Sequence, residues 1–354
     1  MNLFNFFKKS EIKSGALDDN RSALEIARDY QFKEIVTSVN PVNWVEKHQS
    51  EWRKFPIRNQ DGSGSCVAQT MAKLLGILYH EKTGEFVEFA ASFIYKRRSN
   101  QGSMGMIGVN AFDIVKKDGA TLEVLMPSDN VNETQINAVP EKKHHTQIGE
   151  LYGIKNYVQF APRVDFETIA STIQTTGKGV MVWFRFDSDE WTDVPFLRPG
   201  SQLRAHHSVT AVDYTLYKGK KALIIEDSWG KTHGLNGQRV ITEDFFKRRN
   251  TFAAYPIDFK YEKTAVVQMY TFKTTLKFGQ KNQDIKELQD ILKYDGSFPT
   301  NVESTGYYAS ITAKAVLAFQ KKYHLALDEE LNSLQGRIVG PKTISTLNEL
   351  YGKN

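Results

Sequence analysis

The feature that most constrains the fold is a lone cysteine at the head of an apolar run. Cys66 is the only cysteine among 354 residues, so no intramolecular disulfide can shape the chain. Apolar residues follow at helical spacing: Val67, Met71, Leu74, Leu75 and Leu78. A thiol in the first turn of a helix lies at the positive end of the helix dipole, which favours the thiolate. The sequence therefore predicts a reactive thiol, against the alternative of a buried cysteine that acts as a small hydrophobic side chain.

Two later segments carry the groups that a thiol nucleophile needs. Ala205–Tyr214 and Ala222–Gly230 have the pattern of strands and are separated by a lysine- and glycine-rich turn. A hairpin centred on this turn places His207 opposite a position close to Asp227. A thiolate needs an imidazole to take its proton, and the imidazole needs a third group to orient it. We therefore predict Cys66 as nucleophile, His207 as base and Asp227 as the orienting group.

These motifs resemble those of the papain-like cysteine peptidases. In that family a glutamine stands six residues before the nucleophile, as Gln60 does here, inside Gln-Asp-Gly-Ser-Gly-Ser-Cys. The family histidine follows about 130–150 residues after the cysteine, and His207 follows Cys66 by 141 residues (207 − 66). Asp227-Ser-Trp-Gly is similar to the family motif Asn-Ser-Trp-Gly. The likeness runs over residues 40–258.

The resemblance implies an α+β fold in which a helical lobe faces an antiparallel β lobe. It implies that Gln60 donates a side-chain hydrogen bond to the oxyanion, beside the backbone N–H of the cysteine. Four residues are expected on the substrate side of the site: Gly64, Ser65, Gly105 and Trp229. The loop around Gly105 has a plain connector as its alternative role, and Trp229 is also expected to shield the contact between histidine and aspartate from water.

The sequence departs from the family pattern at three positions. Val67 replaces a usual aromatic residue, and Ser63 replaces a cysteine that forms a disulfide in the family. Asp227 replaces the usual asparagine, and a carboxylate favours the imidazolium form and changes the pH profile. His206 is predicted to point away from His207, because side chains alternate along a strand.

Residues 276–354 form a second predicted domain of three helices. It resembles the small helical peptidoglycan-binding domain of wall hydrolases, through Leu276-Lys-Phe-Gly and Gly340-Pro-Lys-Thr. Candidate wall contacts are Tyr307, Tyr308 and Tyr351; the alternatives are that these tyrosines pack the helices, or that the domain docks on a protein. An insertion relative to the family covers residues 328–334.

The rest of the chain supports fewer predictions. Residues 1–39 are an N-terminal extension or a short pro-segment that covers the cleft, and residues 259–275 are a connector with one possible strand at 265–272. The short apolar stretch near the N-terminus is a poor secretory signal, and no apolar run is long enough to span a membrane. The net charge of +5 comes from interspersed lysines, arginines and acids, which argues against nucleic-acid binding. The histidines outside the predicted site lack partners at metal-ligand spacing, so no metal or cofactor is expected.

The expected function is that of a thiol peptidase that cuts polypeptides and is held on peptidoglycan, in the cell wall, outside the cell or on a virion. Two alternatives remain open. One is an endopeptidase that cuts the stem peptides of peptidoglycan itself. The other is a non-catalytic wall-binding or virion protein that has kept a degenerate peptidase fold. The substrate, the route of export and the oligomeric state do not follow from the sequence.

Overall fold

The computed structural model describes residues 14–22, 26, 40–160, 165–261 and 270–352. The chain divides into two units, Met1–Tyr261 and Glu262–Asn354. Each unit contains its own cluster of buried hydrophobic side chains. Because the cores are separate, the two units are described one after the other.

The helical lobe of the first unit is built around the predicted cysteine-headed helix. Its helices are α1 (Cys66–Thr83), α2 (Ala91–Lys96), α3 (Gly108–Lys117), α4 (Glu133–Ala138) and α5 (Lys143–Gly149). Helix α1 ends at Gly84, which adopts a φ of 77° and caps the last turn. Side chains are buried all round this helix as far as Tyr79, and Lys73 is buried with them through an ion pair of 2.7 Å to Glu226. Two short strands, β1 (Ala16–Leu17) and β2 (Met106–Ile107), pair in parallel beside it.

The β lobe is a six-stranded antiparallel sheet. Its strands are β3 (Tyr152–Gln159), β4 (Val180–Phe186), β5 (Ala205–Tyr217), β6 (Lys220–Glu226), β7 (Gln238–Thr242) and β8 (Asn250–Tyr261), in the spatial order β3-β8-β4-β5-β6-β7. Two helices, α6 (Phe166–Thr176) and α7 (Glu243–Arg249), pack on this sheet and contribute Phe166, Phe245 and Phe246 to its core. An α+β architecture with a helical lobe and an antiparallel β lobe is confirmed.

The predicted hairpin of β5 and β6 forms nearly in the expected register. Tyr217 pairs with Lys220, and Thr210 pairs with Glu226 after an irregularity between Ala211 and Asp213. Continuing this register beyond Thr210 brings His207 to the end of β6, close to Asp227. At the turn, β5 runs to Tyr217, beyond the predicted end at Tyr214, and β6 begins at Lys220, before the predicted start at Ala222.

The long strand β8 and the helix α7 were not predicted. Strand β8 lies between β3 and β4, inside the sheet, and its middle part from Phe252 to Pro256 is buried on both faces. A strand of this kind lacks the alternation of apolar and polar residues that identifies a half-buried strand.

The described part of the second unit, residues 270–352, contains four helices rather than three. They are α8 (Gln283–Tyr294), α9 (Ser310–Lys322), α10 (Asp328–Leu334) and α11 (Pro341–Tyr351), with β9 (Leu276–Lys277) and β10 (Ile338–Val339) paired antiparallel. The extra helix α10 is the segment that the sequence marked as an insertion. The strand proposed at 265–272 lies mostly outside the described residues, and 270–272 adopt no regular structure.

Among the helices that the structure describes, none is both long and apolar enough to cross a lipid bilayer.

Candidate active site

The thiol of Cys66 lies at the first residue of α1, in the interior of the first unit. Its side chain has no solvent exposure. Ser65 occupies the N-cap position but makes no capping hydrogen bond, so its side chain does not satisfy the free N–H groups of the first turn. These N–H groups and the helix dipole therefore act on whatever charge develops at the first turn.

The loop before Cys66 is fixed to the segment that follows Asp227. The backbone N–H of Gln60 donates to the Ser228 carbonyl at 2.8 Å, and the Ser228 hydroxyl donates to Gln60 Oε1 at 2.7 Å. Gln60 Nε2 donates to the Ser63 carbonyl at 2.5 Å, which holds the amide against its own loop. These contacts join the helical lobe to the β lobe at the predicted site. They also place the predicted oxyanion donor in the loop that leads into α1.

Two of the predicted polar residues meet directly. His207 Nε2 lies 2.7 Å from Asp227 Oδ1, and both side chains are fully buried. His207 pairs with Phe184 in the sheet, whereas its neighbour His206 pairs with Arg185 and lies 3.9 Å from Asp18. The alternation of side chains along β5 thus separates the two histidines, as predicted.

The remaining ring nitrogen of His207 is the one available to the thiol. Because Nε2 contacts Asp227, Nδ1 is left, and this atom is buried. Cys66 is near enough to contribute to the pKa of His207. The structure therefore brings Cys66, His207 and Asp227 together around one imidazole ring.

The second oxygen of Asp227 has partners that were not predicted. Oδ2 accepts hydrogen bonds from Arg239 Nε at 2.8 Å and from Trp191 Nε1 at 3.0 Å. Neither residue is predicted from the sequence to contact Asp227. Arg239 comes from β7, opposite Ile225 of β6, and its proximity to Asp227 follows from strand pairing that the local sequence does not specify.

The buried charges shift one another's protonation. Burial acts to lower the pKa of His207, but the Asp227 carboxylate, with a smaller contribution from Cys66, outweighs it and raises the pKa of His207 to about 9. Burial acts to raise the pKa of Asp227, but His207 and Arg239 together hold it well below its usual range. The pair is therefore imidazolium and carboxylate at neutral pH, as the aspartate substitution led us to expect.

Two tryptophans enclose the imidazole. The Trp229 ring stacks on His207 with 4.6 Å between ring centroids and 29° between planes, and Trp191 meets His207 edge-on at 5.9 Å. Both tryptophans are nearly buried. Trp229 covers the imidazole as expected, and its burial makes it a wall of the site rather than an exposed substrate contact.

An N-terminal segment lies against the glycines predicted on the substrate side. The Gly15 carbonyl accepts a hydrogen bond from Met106 N–H at 2.6 Å, and a Cβ on Gly15 would lie 1.8 Å from the Gly64 carbonyl oxygen. A Cβ on Gly105, whose φ is 92°, would lie 2.7 Å from the Gly15 carbonyl. Gly64 and Gly105 therefore lie side by side, and residues 15–17 pack against them.

The same segment reaches the β lobe. Asp18 pairs with Arg185 of β4 at 2.6 Å and lies near His206 of β5. Residues 15–18 thus contact both the loop before Cys66 and the strand that carries His207. Ser65, predicted beside the substrate, is buried instead, with its hydroxyl 2.7 Å from the Ser63 hydroxyl. It supports the loop and presents no surface.

The three tyrosines of the second unit differ in exposure. Tyr307 is 45% exposed. Tyr308 is fully buried and donates its hydroxyl to the Gly336 carbonyl at 2.6 Å, and Tyr351 is buried with its hydroxyl 2.9 Å from Asp295 Oδ1. The prediction of wall contacts is thus wrong for Tyr308 and Tyr351, because their rings pack the helical core. Tyr307 alone of the three reaches the surface.

Two segments of the chain match models of known protein families. Residues 41–251, more than half of the chain, match the model of the papain family of cysteine proteases. Residues 281–333 match the model of a putative peptidoglycan binding domain.

Relatives and solved structures are similar at low identity. Cysteine proteinase 1 of Entamoeba histolytica is 24% identical over 200 residues, which are 53% of this chain and 61% of that protein. The chain therefore spans about three fifths of the length of that relative. A cathepsin L-like proteinase of Phaedon cochleariae is 24% identical over 264 residues, covering 71% of this chain and 74% of that protein. Xylellain, a cysteine protease from Xylella fastidiosa, has the same fold, with a TM-score of 0.55 at 17% identity over 71% of this chain and 96% of that chain.

Proposed function

The chain belongs to the papain family of cysteine proteases, and on this premise we propose that it is a thiol peptidase that hydrolyses peptide bonds with Cys66, His207 and Asp227. The observation that carries the proposal is the buried contact of 2.7 Å between His207 and Asp227, beside a cysteine at a helix N-terminus. The contact fixes the ring so that its other nitrogen serves the thiol.

The proposed reaction needs only groups that the site supplies. The Cys66 thiolate attacks the carbonyl carbon of the scissile peptide, and the electron pair of the C=O bond moves to oxygen. The backbone N–H of Cys66 and the amide of Gln60 stabilise this oxyanion. The His207 imidazolium protonates the leaving amine as the C–N bond breaks, which leaves a thioester. His207 then takes a proton from water, the hydroxide attacks the thioester, and the Cys66 thiolate is released with the acid product.

The second unit is proposed to hold the enzyme on peptidoglycan. Its family match supports this role, and Tyr307 offers an exposed aromatic ring to a ligand. The match also favours a second candidate function, in which the substrate is the stem peptide of peptidoglycan rather than a protein. Binding to peptidoglycan would then place the thiol beside its own substrate. A location at the bacterial cell wall follows from either version.

Residues 15–18 are proposed to act as a pro-segment. This segment packs against Gly64 and Gly105, and Cys66, two residues after Gly64, has no solvent exposure. A substrate that binds against the same glycines must displace the segment. The domain boundaries used in this proposal are 1–39 for the segment and its extension, 40–258 for the peptidase and 276–354 for the wall-binding domain.

One experiment tests the proposed activity and separates its two versions. The wild type and Cys66→Ala are incubated with an unfolded protein and, separately, with purified peptidoglycan, and newly formed amino groups are counted. Release from either substrate by the wild type alone supports the peptidase, and the better substrate identifies the version. Equal release by Cys66→Ala, or none by a wild type freed of residues 1–22, would contradict it.

A further inference from the structure

The unusual partner in the site is a buried arginine. The Arg239 side chain is 4% exposed, and its guanidinium lies over the rings of Trp191 and Trp229 at 5.6 and 5.5 Å from their centroids. Its Nε–H donates to Asp227, whose side chain is fully buried. A buried guanidinium is costly without a paired anion. The buried charge of Arg239 is therefore stabilised only when residue 227 carries a negative charge.

The hydrogen bonds at position 227 decide which side chain fits there. Oδ2 of Asp227 accepts from two N–H donors, Arg239 Nε and Trp191 Nε1, while Oδ1 faces His207 Nε2. An asparagine has one acceptor oxygen and one NH₂ donor. Its NH₂ would face either two donors on one side or the imidazole N–H on the other. Only a carboxylate satisfies both sides at once.

We propose that Arg239, assisted by Trp191, is a positioning residue for the His207 base: the two donors require a carboxylate at position 227 and turn its other oxygen toward the imidazole. The inference rests on the proposed peptidase function for its consequence in catalysis. Arg239 touches neither substrate nor the reacting atoms in this account and acts through Asp227.

The charge of Arg239 also offsets the charge that Asp227 adds. The carboxylate and the guanidinium sum to zero, as a neutral amide would. The Cys66 thiol of α1 also acts on the imidazole. Glu190, the residue before Trp191, is held by Arg249 at 2.6 Å and accepts a hydrogen bond from the Ser201 hydroxyl at 2.6 Å. His206 faces Asp18 on the other side of β5. Arg239 is thus the cation that directly balances Asp227.

The test follows the titration of His207 by NMR in histidine-labelled full-length protein, because this readout does not depend on turnover. Arg239→Met removes the cation and is expected to move the His207 titration up by about one pH unit, since the carboxylate then acts unopposed. Arg239→Lys keeps the charge and is expected to move it by less than half as much. Arg249→Met is the matched control: it breaks a buried arginine–carboxylate pair in the same lobe and is expected to lower Tm with a smaller shift of the titration.

A rescue experiment tests whether Arg239 and Trp191 are the reason that position 227 requires a carboxylate. Asp227→Asn alone is expected to lower kcat/KM for a short peptide by at least about 100-fold, because its amide cannot satisfy His207 and both donors together. Asp227→Asn combined with Arg239→Met and Trp191→Phe removes both donors, and it is expected to recover at least about tenfold of that loss. Its Tm is measured alongside, so that a folding defect is seen as such.

The outcomes separate this inference from the proposed function. An unmoved His207 titration in Arg239→Met, with turnover intact in the wild type, would overturn the positioning role alone. A triple variant that folds but is no more active than Asp227→Asn would also overturn it. A His207 titration that shifts in Arg239→Met, together with a wild type that shows no peptidase activity, would support the positioning role of Arg239 and contradict the proposed peptidase function.

Discussion

A fully buried aspartate side chain lies in each unit of this chain, and the partners of the two aspartates differ. Asp227 in the first unit and Asp295 in the second both have fully buried side chains. Each has a cation, Arg239 at 2.8 Å and Lys322 at 2.9 Å respectively. Each also accepts hydrogen bonds from aromatic side chains. The two sites therefore solve the same problem of a buried negative charge with the same kinds of group.

The difference lies in one partner. Asp295 binds the hydroxyls of Tyr323 and Tyr351, and burial raises the pKa of both, so these hydroxyls remain protonated donors. Asp227 binds an imidazole that faces a thiol. Only the arrangement around Asp227 contains a proton that can move at moderate pH. We therefore propose that Asp295 stabilises its unit, whereas Asp227 serves the proposed chemistry of the first unit.

The largest expected effect separates the two carboxylates directly. Asp227→Ala is expected to lower kcat/KM for a short peptide by about 10³-fold or more, because His207 loses its orienting group. Asp295→Ala is expected to leave that activity within about threefold and to destabilise the second unit by roughly 2–4 kcal/mol, since the buried Tyr351 hydroxyl and the half-buried Tyr323 hydroxyl lose their acceptor. Peptide assays and calorimetry on both variants check this. Similar activity losses in the two variants would remove the distinction.

The next effect is the pH dependence of stability in the first unit. The folded-state pKa of His207 is raised to about 9 from 6.5, so its contribution is fully present below about pH 6.5 and is lost as the pH rises through about 9. The expected fall in unfolding free energy over this window is on the order of 3 kcal/mol. The lowered pKa of Asp227 acts in the opposite sense: its contribution is present above about pH 3.8 and disappears only in acid.

Urea denaturation at several pH values measures this effect in the full chain. All five tryptophans lie in the first unit, at positions 44, 52, 183, 191 and 229, so their fluorescence reports that unit alone. His207→Ala is expected to flatten the fall between pH 6.5 and 9. A fall of the same size in that variant would assign the effect to another group.

The sequence specified the helix, the hairpin and the three residues around the imidazole, because each depends on local spacing. Apolar periodicity after Cys66 gave α1, and a short turn set the register that brings His207 to Asp227. Arg239 could not be found in this way. It reaches Asp227 through the pairing of β7 with β6, and a single charged residue in a strand pattern is ordinarily taken as solvent-exposed.

Two further features have similar physical causes. Nothing in the sequence indicates that the Trp191 ring points inward, but Arg249 neutralises the neighbouring Glu190 and the indole N–H donates to Asp227. Tyr308 and Tyr351 were candidates for wall contacts, with packing of the helices as the alternative, and each hydroxyl finds an acceptor inside the helical core. In each case a distant partner satisfies a polar group, and the local sequence does not name that partner.

A smaller effect tests whether the N-terminal segment of the first unit, residues 15–18, limits access to the Cys66 thiol. Gly15→Val is expected to displace residues 15–18, because its side chain would overlap the Gly64 carbonyl. The alkylation rate of Cys66 should then rise about tenfold as the thiol becomes accessible. Gly340→Val, where the added Cβ would meet no neighbour within 4 Å, is the control and should leave the rate unchanged. An unchanged rate in Gly15→Val would argue against a covering role.

The smallest expected effect concerns the surface of the second unit. Tyr307→Ala is expected to weaken sedimentation with purified peptidoglycan by about three- to tenfold, because the ring is exposed. Tyr308→Phe removes only a buried hydroxyl, so it should lower Tm without weakening binding at a temperature where the unit is folded. Equal loss of binding in the two variants would mean that Tyr307 acts through stability as well.

The most direct test of the central claim is the rate of Cys66 alkylation by iodoacetamide against pH, in protein freed of residues 1–22. The buried pair of His207 and Asp227 predicts a rate at about pH 6.5 within a few fold of that at about pH 8.5, and a loss of roughly 100-fold at the lower pH in His207→Ala. His145→Ala, which removes another buried histidine, bonded to the Lys142 backbone, should retain the wild-type profile. A slow rate at the lower pH in the wild type, unchanged by His207→Ala, would contradict a catalytic pairing of this thiol with this imidazole.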